Sequence, residues 1–427
     1  MMKLETQNKR ANRVHIMLLI YWAVLVAWQN LGLASNRSGA DTILKVALLG
    51  LLTLFFFFNA GKTNMNALWA ILFAAYMIFE LFLESGTTLG NVVAYLYPAV
   101  LAFLLFVPGN DYQISKKQLL FFLNAVILIV AYMAIYALLF CRDQFASALS
   151  ISSAYGNELS SFLISNHEYG MYLMFAMTGC IICLELKKNC AWTKKWFYIA
   201  AMVLFAPNLI LTFSRTSMLA MVCVLLVYLI LSKKSRLKTV IVVVLFALVL
   251  AFLFSSTLKS FLFDIILKGN NDSGRDNLSR LAIEYFNRGD WFKKLFGHGI
   301  SSARSFFDAE TSHGSVHNSY LQVLLYHGIV GLGIMLLFIL GQIVASITLI
   351  KKNRFMGTML LASLLSAIAM MFTNTSCIFF SAIDSYFLTV MAIIIPKYVR
   401  NAIMAGTFDE EVPHDTGRTD TAQTDRA

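Results

Sequence analysis

Charge is what this sequence has least of. Asp, Glu, Lys and Arg make up 13% of its 427 residues, against about 25% in a soluble globular domain. A water-soluble fold of this size is excluded on that ground. Cysteine is sparse and scattered: six residues, four of which (Cys180, Cys183, Cys190 and Cys223) lie in or beside apolar runs. Cys180 and Cys183 form a CxxC, but no second His or Cys pair stands nearby to complete a metal set. They read as small apolar packing residues. Cys141 and Cys377 fall near the same face of the layout below, which leaves a bridge between them open without supporting it. No secretory signal is expected, because the first apolar run is long and others follow at once. No internal repeat is evident.

What the sequence has in abundance is hydrocarbon, 59% of residues being hydrophobic. Apolar runs of eighteen residues or more recur from end to end, the length that crosses about 30 Å of bilayer interior. The fold class is therefore an all-α polytopic membrane protein. Its twelve expected transmembrane helices span roughly 15–33, 42–59, 65–83, 92–108, 119–140, 166–185, 196–213, 217–232, 239–256, 328–350, 356–373 and 378–396. A net charge of +11 would suit nucleic acid if it were clustered, but it is spread through short loops, and no nucleic-acid partner is expected. The N-terminus and every second loop hold Lys3, Lys9, Arg10, Arg13, Lys62, Lys116, Lys117, Lys187, Lys188, Lys194, Lys195, Lys233, Lys234, Arg236, Lys238, Lys351, Lys352 and Arg354. Lys397 and Arg400 follow the last span. The alternate short loops hold only Arg37, Arg142 and Arg215. Twenty against three puts both termini in the cytoplasm. Lys45, Glu80 and Glu84, near the outer ends of spans 2 and 3, read as residues that snorkel to headgroups.

Four regions follow: spans 1–9 over 1–256, an outer loop or cap over 257–319, a membrane-mouth helix with spans 10–12 over 320–396, and a cytoplasmic tail over 397–427. The tail lacks apolar periodicity and reads as disordered. The loop does not. "NLSRLAIEYF" puts Leu278, Leu281, Ala282 and Tyr285 on one helical face, "WFKKLFGHGI" ends in a glycine turn, and "SSARSFFDAE" is a further short helix. The segment can fold as a cap, with residues 141–165 packed beside it.

Four of the seven histidines, His298, His313, His317 and His327, fall within this loop and the helix after it. His313 and His317 are four apart, but "HGSVH" has no glutamate in the place that HExxH requires, so no metal site is expected. His317 precedes a helix that Ser315 or Asn318 can cap, and it shares a face with Tyr320, Leu321, Leu324 and Gly328. The positive helix end favours a neutral imidazole, which a general base needs. The alternative is an interfacial histidine satisfied by hydrogen bonds, as His327 reads two to three turns further on. Arg215 sits in the short polar turn of "LILTFSRTSMLAMV", where lipid exposure at depth would cost about 2.5–3.5 kcal/mol; it is expected to face protein, water or an anion. Arg275 in "NDSGRDNLSR", with Arg280 five residues on, offers further planar donors suited to phosphate oxygens. Together these residues describe a site on the outer face for a lipid-linked diphosphate, a substrate that carries its own leaving group where no nucleotide is available.

"SVHNSYLQVLLYHGIVGLG", preceded by "LFGHGI" and "SGR" and with "TFSRTSML" two spans earlier, resembles the bacterial O-antigen polymerase and O-antigen ligase superfamily. The signature runs from about Leu211 to Gly333, and the twelve-span layout with a large late outer loop extends the likeness over most of the chain. The resemblance implies glycan transfer from undecaprenyl diphosphate at the outer face of the bacterial cytoplasmic membrane, with no cofactor, nucleotide or metal. It assigns the arginine of the Ser-Arg-Thr turn to Arg215, the loop Gly-Arg to Arg275 and the His-Asn pair to His317 and Asn318. His317 is then the catalytic residue, Arg215 and Arg275 bind diphosphate, and Asn318, Arg280, His313 and His298 are accessory. An Asn-Pro-Asn-like element near the sixth span corresponds here to "NHEYGMYL", where the proline is absent, so His167 and Glu168 receive no role. The expected function is a repeat-unit polymerase that elongates a lipid-linked acceptor, with a flippase and a chain-length regulator as candidate partners. The rivals are a ligase that moves finished polymer to lipid A core or another acceptor and, less favoured, a lipid-linked oligosaccharide flippase, which would spread its polar groups along a central path.

Overall fold

The computed structural model describes residues 14–31, 66–84, 88–106, 112–150, 158–163, 165–187, 192–256, 275–311, 315–378 and 383–409, with isolated positions between 46 and 54 and at Lys259. Helices dominate these residues and no strand occurs among them. In chain order they are α1 (Val14–Asn30), α2 (Asn66–Leu83), α3 (Leu89–Phe106), α4 (Lys116–Phe140), α5 (Arg142–Ser150), α6 (Asn166–Leu186), α7 (Trp192–Leu211), α8 (Arg215–Leu231) and α9 (Arg236–Phe254). After these come α10 (Arg275–Arg288), α11 (Trp291–Phe296), α12 (Ile300–Glu310), α13 (Ser319–Lys352), α14 (Arg354–Thr373), α15 (Ile383–Thr389) and α16 (Ile395–Ala405). Among the described residues six helices are long and apolar enough to cross a membrane, and α1, α2, α3, α7 and α8 contribute shorter apolar stretches of 10–17 residues. Each expected span overlaps a described helix except 42–59, which lies mostly outside the described residues, and the last is offset, the helix there running over 383–405 rather than 378–396.

Local chemistry sets the helix starts. Ser115 and Gln118 make a reciprocal capping box at α4, and Ser165, Ser214, Ser235, Asp290, Asn318 and Asn353 each accept a first-turn N–H. These oxygens satisfy donors that a helix leaves unpaired. Between α15 and α16 the helix widens into a π turn over Val390–Ile394, just before Pro396. A wider turn accommodates the N–H that proline lacks.

Two cores form. The larger joins α1, α3, α4, α5, α6, α7, α8, α13, α14, α15 and α16, with Trp22, Tyr172 and Phe387 in mutual aromatic contact. The smaller brings α10 and α12 of the loop onto α2, α3 and the start of α13. Leu278 and Ala282 are buried there, with Leu281 and Tyr285 packed at the edge, so α10 packs on the face that its spacing predicts. Cys141 and Cys377 are both free thiols.

Two expectations are corrected. Glu80 and Glu84 do not snorkel: they are 3% and 9% exposed and turn inward. Lys45 lies outside the described residues. Disorder does not begin at residue 397, because α16 continues to Ala405 and the chain then docks. Thr407 Oγ1 donates to Gln113 Oε1 at 2.6 Å, Lys116 N donates to Phe408 O at 2.8 Å, and Phe408 is buried. The amphipathic last turns make these contacts available, which a composition argument does not see.

Candidate active site

The Ser-Arg-Thr turn and the Asn166 segment are neighbours. Ser165 caps α6 and Ser214 caps α8, and the two helix starts abut. His167 Nδ1 lies 3.0 Å from Ser214 Oγ, and Asn166 Nδ2 donates to Thr212 O at 2.9 Å. Gly170 permits the approach, since a Cβ there would lie 2.7 Å from Ser217 Oγ. Arg215 is the first residue of α8 and is half-buried; its Nε and Nη2 are buried and have no hydrogen-bond partner among the described residues. The carboxylate of Glu168 is turned away into the bundle, accepting from Tyr172 Oη at 2.6 Å and from Gln29 Nε2 at 3.3 Å. A guanidinium with buried donors thus sits where two positive helix ends converge, an arrangement that favours an anion.

Polar contacts run from this turn to the histidine. Thr216 Oγ1 is 2.6 Å from Thr373 Oγ1 at the end of α14. Ser319 Oγ donates to the carbonyls of Asn374 and Ser376, at 2.7 and 3.0 Å. Ser319 opens α13 directly after His317 and Asn318. Asn318, rather than Ser315, is the cap, its Oδ1 accepting from Tyr320 N and Leu321 N at 3.0 and 3.2 Å. His317 is half-buried with φ of 52°. Among the described residues the other non-glycine positive-φ positions are Ser161 and Phe213, the latter two residues before Arg215. Left-handed backbone at a residue with a side chain costs about 1–2 kcal/mol, and such strain gathers at functional sites.

The cap arginines separate. Arg275 is half-buried at the start of α10, three residues before Leu278, which belongs to the same small core as Val316. Arg280 is exposed, its Nη2 3.5 Å from Asn277 Oδ1, and takes no part in that core. His298 belongs to the cap interior: its ring lies 4.3 Å from that of Tyr285, which stacks on Phe306 at 4.0 Å. Burial, aided by Lys293, lowers the His298 pKa. His313 lies outside the described residues.

Below His317 the helix α13 is interrupted. Gly328 has φ 64° and ψ −166°, backbone that essentially only glycine adopts, and a Cβ there would lie 2.2 Å from Leu295 O. Gly297 of the "LFGHGI" turn meets the break from the other side, a Cβ on it falling 2.2 Å from Tyr326 O. Residues 319–327 therefore form a short mouth segment and 329–352 the span proper. His327, at the joint, pairs with Glu80 through Nδ1. Beside it an apolar cavity of about 420 Å³ is bounded by α2, α3 and both halves of α13, with Phe73, Met77, Pro98, Val323, Met335 and Phe338 in its wall. Leu337, which also lines it, is 71% exposed, so the cavity reaches the protein surface beside an apolar side chain.

The sequence gives no pairing for His167, Ser214, Thr216 and Ser319, whose partners are remote in the chain; the serine before each helix start was the available signal. No curated protein matches the chain. Residues 200–336, which hold Arg215, the cap helices, His317, Asn318 and the break at Gly328, match the family model described as Wzy_C, O-antigen ligase, and this match bears out the resemblance to the O-antigen polymerase and ligase superfamily.

Proposed function

We propose that this protein is a polysaccharide repeat-unit polymerase. It transfers a growing glycan from undecaprenyl diphosphate to a sugar hydroxyl of a lipid-linked acceptor at the outer face of the membrane. The observation that carries the reading is Arg215: buried donor nitrogens without a hydrogen-bond partner among the described residues, and two helix starts beside it. A diphosphate supplies the missing acceptors. His317 removes the proton of the attacking hydroxyl as the new glycosidic bond forms and the bond from the anomeric carbon to diphosphate oxygen breaks. Arg215 and Arg275 stabilise the charge left on the diphosphate, and one direct displacement inverts the anomeric carbon. The lateral apolar cavity suits a hydrocarbon chain entering from the bilayer, and no metal is required.

A second reading has its own support, since the matching family model is described as a ligase. In it, the same site moves finished polymer onto a different acceptor. The test is the purified protein with defined undecaprenyl-diphosphate repeat units. A product ladder supports a polymerase; a single transfer that needs another acceptor supports the ligase. Arg215→Lys keeps the charge and loses the planar fork, each charged hydrogen bond being worth about 1.5–3 kcal/mol. It should lower activity at least about tenfold, while EDTA leaves the ladder intact. Full activity in Arg215→Ala, or abolition by EDTA, excludes this mechanism.

A further inference from the structure

Tyr76 and Glu80 lie four residues apart on one face of α2, and Glu84 follows four residues later, just past the end of the helix at Leu83. Tyr76 Oη donates to the carbonyl of His327 at 2.9 Å, and Glu80 pairs with the His327 ring. Glu84 accepts from Ile300 N and Ser301 N, both at 2.9 Å, and from Tyr95 Oη at 2.6 Å. The cap position of α12 is Gly299, which has no side chain, so a carboxylate from the end of α2 caps a helix of the loop. Within two turns α2 therefore grips both the end of the mouth segment and the start of a cap helix. His298 N, donating to Leu325 O at 2.7 Å, and the facing glycines at 297 and 328 close the joint. Buried carboxylates are a poor means to stability alone, because their desolvation opposes folding.

We infer that Tyr76, Glu80 and Glu84 are positioning residues: a strut that sets the angle of segment 319–327 at the Gly328 break and so places His317. The inference rests on the base role given to His317 above. The segment spans about 13 Å, so a tilt of about 10° at His327 moves its far end by about 2 Å. A displacement of about 1 Å lowers a rate by about 100-fold. The strut works by holding, so what matters at Glu80 is an acceptor for the His327 N–H rather than a charge. Glu80→Gln keeps an acceptor and Glu80→Ala does not, and a proton-relay role would make the two equally damaging.

The test uses the full chain in nanodiscs, with spin labels at Leu324→Cys and Ile347→Cys on either side of the break. Glu80→Ala should shift or broaden their distance distribution, and Glu80→Gln should leave it as in the parent. In the transfer assay with undecaprenyl-diphosphate repeat units, Glu80→Ala and Glu84→Ala should lower kcat by about 10–100-fold. KM for the donor should stay within about threefold, and Glu80→Gln should stay near the parent in both. If Glu80→Ala does not fold, Tyr76→Phe removes one hydroxyl and should give a smaller shift with a correspondingly smaller fall in kcat. An unchanged distance in the folded strut variant, a shift without loss of kcat, a loss confined to KM, or equal loss in Glu80→Gln overturns the inference. Failure of the parent reading looks different. It appears as no transfer by the unaltered protein or full activity without His317, and the distance measurement still decides whether the strut holds the segment.

Discussion

His317 carries its side chain on left-handed backbone, φ 52°, at the step before a helix cap. Alanine there would change both strain and chemistry, whereas asparagine tolerates that region. His317→Asn should therefore fold and bind the lipid-linked donor like the parent, yet lose chain extension by about 10²–10⁴-fold, the usual contribution of a general base. Near-parent ladders from this variant would remove His317 from the base role, and lost donor binding would move it to diphosphate recognition. His298 makes the opposite case, a histidine that the family pattern brings near the site but the fold uses inside the cap. Burial holds its pKa below the usual 6.5. Below pH 6.5 the unfolded cap takes up a proton that the folded cap refuses, so the contribution to stability is complete above pH 6.5 and is lost as pH drops from 6.5 toward the depressed value. Exchange protection of residues 275–311, corrected for intrinsic rates, should follow that slope, and His298→Phe should flatten it. An identical slope in both proteins would show that another group titrates.

At the scale of the element, what is legible in the sequence is what short-range chemistry decides. The starts of α4, α6, α8 and α13 follow from Ser115, Ser165, Ser214 and Asn318, each within three residues of the N–H it accepts. The buried face of α10 follows from helical spacing. Arg215 was legible because a cation in a turn of a chain so poor in charge is conspicuous. The strut was not, because Glu80 and Glu84 meet partners 247 and 216 residues away, and a carboxylate at a span end looks the same whether it turns in or out. The break in α13 was hidden for the same reason: "LLYHGIVGLG" reads as continuous apolar helix until Gly297 is known to press on Gly328. That contact makes a sharp prediction. Gly328→Ala places a methyl 2.2 Å from Leu295 O at a backbone conformation reserved for glycine. It should expose the cap to proteolysis, whereas Gly333→Ala, with nothing within 4 Å, should not. Equal protease resistance in both would mean that the helix runs straight.

For the whole molecule, the question is which end of the bundle faces outward. The Arg215 end gathers the starts of α6, α8 and α13, the end of α14 and the cap. The opposite end holds the basic loops: Arg354 Nε donates to Leu231 O at 2.6 Å, Lys238 Nζ to Ser232 O at 3.1 Å, and Glu185 accepts from Ser235 Oγ at 2.5 Å. One end of the same helices is thus rich in lysine and arginine while the other is folded into a cap. If the positive-inside bias sets the orientation, the proposed site faces outward, the side on which a donor bringing its own leaving group is proposed to act. Ser305 and Lys234 are exposed at the two ends. On a background with the native cysteines replaced, Ser305→Cys should react with an impermeant maleimide in intact cells. Lys234→Cys should react only after the membrane is opened. The reverse pattern would place the cap, Arg215 and His317 in the cytoplasm, where nucleotide-activated sugars are available. A lipid diphosphate would then no longer be the donor that the charge distribution favours.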